Sequence, residues 1–236
     1  MRITGIIVAL PAEARSLVKR HVPPGEFLRL SARLWLQLSG MGPERARLAA
    51  ESLLGAGAKA LVSWGTAAGL DPALTAGTLV LPEVVGLPGQ AGYAVDLVWH
   101  RKVAECLRRY LTFREGMLTS TSTILTDSGQ KAALHQSTKA LASDMESAAI
   151  AAVAATHGVP FLVVRAIADP AGMSLPSSIL SAVDTLGRVR LAKLLVALLR
   201  NPFELVNLLS LASGFCTARG TLSQVAEQVG IETISC

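Results

Sequence analysis

The chain is short of most residues that announce a chemistry. Its three cysteines, Cys106, Cys216 and Cys236, are odd in number, widely spaced and form no C-x-x-C pair. Neither a disulfide framework nor a zinc ribbon is expected, and a reducing cytoplasm is the simplest setting. The four histidines, His21, His100, His135 and His157, show no H-E-x-x-H or other paired spacing. A catalytic metal is therefore not expected, and each histidine reads as a surface or cap residue. Aromatic residues make up only 4%, too few for platforms that stack single-stranded nucleic acid, so no nucleic-acid partner is expected. A G-x-S-x-G elbow, a Walker A loop and a dinucleotide fingerprint are all missing. No apolar run reaches the roughly 18 uncharged residues of a membrane-spanning helix. The run Ile6 to Leu10 near the start is too short for a secretory signal.

What is present is apolar. Hydrophobic residues are 51% of the 236 and charged ones 17%, a balance that calls for a large interior, an oligomer interface or a membrane-facing surface. The net charge of +5 does not by itself choose among anionic partners. The length suits one α/β domain.

Apolar β-leaning runs alternate with helical ones. Ile3 to Leu10 and Leu34 to Leu38 read as strands, Pro11 and Pro43 as helix starts, and Gly55 or Gly57 as a helix stop. AKALVSWGTAAGL reads as a strand followed by a Gly-rich loop, GTLVLPEVV as a strand, and His100 to Tyr110 as helical. GMLTSTSTIL is a Thr/Ser-rich strand, ALASDMESAAIAAVAATHG a strand end entering an Ala-rich helix, and VPFLVVRAIAD a β-branched strand. This alternation predicts an α/β three-layer αβα fold around a central mixed sheet. After Pro176 the character changes: Thr185 to Arg200 is amphipathic, with Arg190, Lys193 and Arg200 on one side and leucines on the other, and PFELVNLLSLASGF follows. Residues 1–184 are expected to form the catalytic domain and 185–236 an apolar helical extension of it, packed on the sheet, on a second subunit or at a membrane surface.

Charges inside the apolar runs need a reason. Glu13 follows the first strand, Thr66 sits after WG, Asp144 and Glu146 lie at a strand-to-helix junction, and Asp169 ends LVVRAIAD. In an α/β sheet, ligands collect at the carboxyl ends of strands, so several segments deliver polar groups to one kind of place. SGMG at Ser39 to Gly42 suits an anion or a ribose, and a plain tight turn equally well.

The motifs IIVALPAEA, LSGMGPERA, SWGTAAGLDPALTAGTLVLP and SDMESAAIAAVAATHGVPFLVVRAIAD resemble, in order, those of the nucleoside phosphorylase and methylthioadenosine/S-adenosylhomocysteine nucleosidase superfamily. The resemblance implies cleavage of a purine nucleoside's N-glycosidic bond without cofactor or metal, with phosphate the one co-substrate left open. By the same resemblance Asp169 is the acid at the purine N7, and Glu146 grips the ribose hydroxyls with Met145 as an apolar wall. Glu13 positions the attacking water, Arg165 lies near that water, and Gly65 and Thr66 form the loop at the sugar. Ile124 stands approximately where the nucleosidases stack a phenylalanine on the base. Ser63 and, approximately, Glu13 occupy places where phosphorolytic relatives carry arginine, which favours water as acceptor. Asp144, glutamate in the family, is assigned a helix-cap role.

RLAKLLVALLRNPFELVNLLSLASGF resembles the extension of the hopanoid-associated phosphorylases, the adenosylhopane nucleosidases. That implies an adenine nucleoside with a large apolar 5′ substituent, a homodimer, and peripheral contact with an anionic inner membrane face. A methylthioadenosine/S-adenosylhomocysteine nucleosidase is the alternative, and a non-catalytic nucleoside or lipid binding module the third reading.

Overall fold

The computed structural model describes residues 2–25, 27–176 and 204–228. In chain order the elements are β1 (Thr4–Val8), α1 (Pro11–Ala14), β2 (Phe27–Arg29), β3 (Leu34–Leu38), α2 (Pro43–Gly55), β4 (Ala60–Gly69), β5 (Leu79–Val80), β6 (Val84–Gly86), β7 (Tyr93–Ala94) and α3 (Leu97–Leu107). They continue as β8 (Phe113–Arg114), β9 (Met117–Ser120), α4 (Ser128–Thr138), β10 (Ala142–Asp144), α5 (Ser147–Thr156), β11 (Phe161–Asp169) and α6 (Glu204–Gln228). The continuous apolar runs of β1, β3 and β11 are buried throughout, as expected of strands covered on both faces.

Local signals explain most helix starts. Pro43 opens α2, where a missing N–H costs nothing. Asp96 caps α3 by accepting from Val98 N–H (3.1 Å) and Trp99 N–H (2.9 Å), so this helix begins before the expected His100. Asp127 likewise accepts from Gln130 N–H (2.9 Å) and starts α4, a helix absent from the sequence reading. GTLVLPEVV divides into β5 and β6 around Pro82, which has no N–H to give a ladder. The Gly-rich loop expected after SWG is instead the second half of β4, held in extended form because β11 pairs with it from Leu61 to Ala68.

The sheet is mixed and turns on β4. One edge of β4 pairs in parallel with β11. On the other edge β1 pairs in parallel with Ala60 to Ser63, and β10 pairs antiparallel with Ala68 and Gly69. Among the described residues no strand pairs with Trp64 to Ala67 on that edge, so the sheet opens there. An inserted residue in β11, between Ile167 and Asp169, shifts the register beside this opening.

Apolar layers cover both faces. Ile6, Val62, Trp64 and Val164 pack with Trp99 and Val103 of α3 and Ala218, Leu222 and Val225 of α6. Ile7, Leu61 and Val163 pack with Ala46, Ala50 and Leu53 of α2 and Ile150 of α5. The three-layer α/β architecture is therefore observed. Of the C-terminal segments, Thr185 to Arg200 lies outside the described residues. The PFELVNLLSLASGF segment is helical from Glu204, and its first turns expose Leu205, Val206 and Leu209. Among the described residues no helix is long and apolar enough to cross a membrane.

α6 meets the end of β11 so closely that a Cβ on Gly214 would fall on the Ala168 carbonyl oxygen. Gly214→Ala is expected to lift the helix and lower stability by about 1–3 kcal/mol. Thermal and urea denaturation check this; unchanged stability would deny the close approach.

Candidate active site

Glu13 stands at the opening in the sheet. As the third residue of α1 it reaches back to the strand end, where Oε2 accepts from Leu10 N–H (3.0 Å) and Ala9 N–H (3.2 Å). Its Oε1 accepts from both Thr66 N–H and Thr66 Oγ1, each at 2.8 Å. Thr66 is on the unpaired edge of β4, and Glu13 takes the place of a neighbouring strand. The carboxylate is almost wholly buried, with donors meeting both oxygens. The mobile donor among them is the Thr66 hydroxyl, which can turn and leave room for a water on Oε1.

Behind this wall lies Arg165, which is 2% exposed. One Nη donates to Ser63 Oγ (2.6 Å) and Ser147 Oγ (3.0 Å) and forms an ion pair with Asp144 Oδ2 (2.7 Å), and the other donates to the Thr66 carbonyl oxygen (3.4 Å). A Cβ on Gly65 would collide with Arg165 Nη1 and stand 2.7 Å from Glu13 Oε1. Glycine is thus required for the strand to pass between the two charges. Asp144 also accepts from Ser147 N–H (3.2 Å), Ser147 Oγ and Ser120 Oγ (2.5 Å). The N-cap position of α5 is Glu146 rather than Asp144; Asp144 accepts the first N–H of the helix from outside it and is the counter-ion of Arg165.

Glu146 points to the opposite loop, where Gly42 N–H donates to its Oε1 (2.8 Å). The SGMG turn therefore binds this carboxylate. Burial pushes the Glu146 carboxyl up to about 7, and the Asp144 charge adds to the rise against the opposing pull of Arg165 and Gly42 N–H.

Asp169, 8% exposed, ends β11 across the cavity. Burial raises its carboxyl above the usual range, and an ion pair from Lys131 Nζ to Oδ2 (2.8 Å) opposes that rise. One cavity is lined by Glu13, Thr66, Ile124, Met145, Glu146 and Asp169, with Met41 and Leu175 among its apolar walls. The structure thus brings these residues around one space, while Arg165 and Gly65 stand behind its wall. Sequence reasoning missed Lys131, which is the one buried residue of α4; a lysine in a polar helix carries no local signal of burial. His100 is a correction: it is buried, with Nε2 3.0 Å from the Leu81 carbonyl oxygen, a packing role in α3. Among the described residues no group of three or more His, Cys, Asp or Glu could hold a metal.

Residues 4–200 match the family model described as Phosphorylase superfamily. The chain belongs to that superfamily. Solved structures of similar fold include futalosine hydrolase from Helicobacter pylori strain 26695, 16% identical, with a TM-score of 0.74 over 98% of each chain. The 5′-methylthioadenosine/S-adenosylhomocysteine nucleosidase of Neisseria meningitidis, in complex with methylthio-immucillin-A, is 19% identical with a TM-score of 0.72, over 97% of this chain and 98% of that one. S-adenosylhomocysteine nucleosidase of Streptococcus pyogenes, in complex with 5-methylthiotubericidin, is 18% identical with a TM-score of 0.71, covering 96% and 95%. In this phosphorylase-superfamily enzyme one acid, Asp169, stands at the end of β11 and another, Glu146, at the start of α5.

Two outcomes are expected from this geometry. Gly65→Ala should destabilise the fold by about 1–3 kcal/mol and impair turnover as Arg165 and Glu13 are pushed apart; denaturation and steady-state assays check it. Glu146, raised to about 7 from 4.5, binds its proton more tightly folded than unfolded. Its contribution to stability is therefore full below about pH 4.5 and declines as pH rises through 7. Melting temperature followed from pH 4 to 8 should show this decline, and Glu146→Gln should flatten it.

Proposed function

We propose that the enzyme hydrolyses the N-glycosidic bond of a 5′-substituted adenine nucleoside, with water as acceptor and adenosylhopane as the substrate. The observation that carries the choice of water is Glu13 on the Thr66 N–H and hydroxyl. A phosphate would need those donors, and Glu146 holds the Gly42 N–H on the other loop. Glu13, Asp144 and Glu146 face the sugar region with Arg165 already paired to Asp144, a field that repels an anion and favours the cationic sugar of an oxocarbenium-like transition state. The nucleosidases and the futalosine hydrolase of similar fold support the same reading.

In the reaction the C1′–N9 electron pair passes into the purine while the Asp169 O–H bond breaks and its proton moves to N7. Water attacks C1′, and Glu13 receives the proton that the water loses as Thr66 Oγ1 turns aside. Glu146 accepts from the ribose hydroxyls, and Met145 lies along the sugar. Burial shifts the Asp169 carboxyl upward, the direction that a general acid needs, against the opposing pull of Lys131.

For the 5′ substituent the support is apolar surface. Beyond the loop that follows Asp169, Met173 and Leu209 line a shallow groove, and Leu205 and Val206 continue the exposed face of α6. A polycyclic hydrocarbon buried there gains about 25 cal/mol per Å². The same face suits peripheral contact with a membrane, or a second subunit of a homodimer.

The test is adenine release from adenosylhopane with and without phosphate, with analysis of the sugar. Free adenine and an unphosphorylated sugar are expected. A sugar 1-phosphate formed only with phosphate would reject hydrolysis, and turnover of methylthioadenosine alone would reject the large substituent. Asp169→Asn and Glu13→Gln should each lower kcat by about 10²- to 10⁴-fold; wild-type rates would remove these roles.

A further inference from the structure

The buried residue of α4 is a lysine, Lys131, with no exposed surface. Leu, Met or Ala would fill such a place without the cost of taking an ammonium out of water. The stretch it faces explains the cost. Lys131 Nζ lies 2.8 Å from Asp169 Oδ2, 2.9 Å from the Met173 carbonyl oxygen, 3.0 Å from that of Pro170 and 3.3 Å from that of Asp169 itself. All four oxygens belong to the short segment that begins with the proposed acid. A second tie runs from Leu175 N–H to the Thr126 carbonyl oxygen (2.8 Å), joining the end of the same segment to the approach to α4.

We infer that Lys131 is a positioning residue for base departure: it fixes Asp169 at the cavity and stabilises the carboxylate left when the proton passes to the purine. This rests on the acid role given to Asp169 above. In the acid role Asp169 is protonated before transfer, so the ammonium then faces a neutral carboxyl; after transfer the two form the buried ion pair whose 2.8 Å geometry the structure holds. The attraction therefore grows along the reaction, which is the condition for lowering a barrier rather than merely tightening binding. The carbonyls of Pro170 and Met173 hold the ammonium in place at both ends of the step.

A structural staple would predict loss on any substrate, whereas this role predicts loss only where the leaving group needs a proton. Wild type, Asp169→Asn, Lys131→Met, Lys131→Gln and Lys131→Arg are compared on the adenine nucleoside and on the 4-nitrophenyl riboside with the same 5′ substituent. The nitrophenolate leaves without protonation. Lys131→Met is expected to lower kcat on the nucleoside by about 10²-fold, with KM changed little, while the nitrophenyl riboside is cleaved at close to the wild-type rate. Asp169→Asn should share that selectivity, and Lys131→Arg should regain part of the nucleoside rate. Lys131→Gln keeps N–H donors for the carbonyls but carries no charge, and should show the same selective loss; a wild-type nucleoside rate in it overturns the inference, whether or not Lys131→Met folds. Equal loss on both substrates in Lys131→Met overturns the inference alone. Wild-type nucleoside turnover by Asp169→Asn overturns the acid reading, and the inference with it.

Discussion

A guanidinium buried in the middle of a sheet must be paired, and the pairing of Arg165 with Asp144 sets the position of nearly everything at the site. The two side chains are 2% and 1% exposed; removing one partner of such a pair costs about 3–5 kcal/mol because the other is left charged and buried. Ser63 and Ser147 add hydrogen bonds from β4 and α5 to the ion pair with Asp144 of β10, so Arg165 ties three elements at one point. Once Asp144 is fixed, the start of α5 is fixed, and Glu146 is carried to the Gly42 N–H. Arg165 thus shapes the cavity through the frame it holds, from behind its wall.

The site has two electrostatic halves. Around Glu13 and Glu146 carboxylates outnumber cations, which suits the developing positive charge of the proposed reaction. Around Asp169 a single acid sits against a single ammonium, as the proposed proton donor requires. Burial raises both Glu146 and Asp169 above the usual carboxylate range, but their neighbours differ: Glu146 has Asp144 adding to the rise, while Asp169 has Lys131 against it. Two acids of similar depth thus stand in different electrostatic settings.

Much of this was legible in the chain because apolar runs make charges conspicuous. Glu13, Glu146 and Asp169 stand at the ends of such runs, and the fold does bring them to one cavity. Their partners were not legible. Thr66 is 53 positions from Glu13, Gly42 is 104 from Glu146, and Ser63 is 102 from Arg165; no local pattern encodes such contacts. Lys131 lay hidden for another reason, since a lysine in a polar helix is ordinarily solvated. The second half of β4 reads as a loop by its glycines, yet β11 along its other edge supplies what the local sequence withholds. His100 reads as surface by type and is buried because α3 turns it toward Leu81.

The open edge of β4 gives the acceptor half of the cavity an unusual economy of motion. Thr66 belongs to a strand that pairs with β11 along its far edge, so its amide and hydroxyl already hold Glu13 in place when a ligand arrives. A loop in the same place would have to be ordered on binding, at roughly 1–2 kcal/mol for each residue fixed. Here that ordering is completed when the chain folds, and this wall of the cavity does not need to close around what enters it.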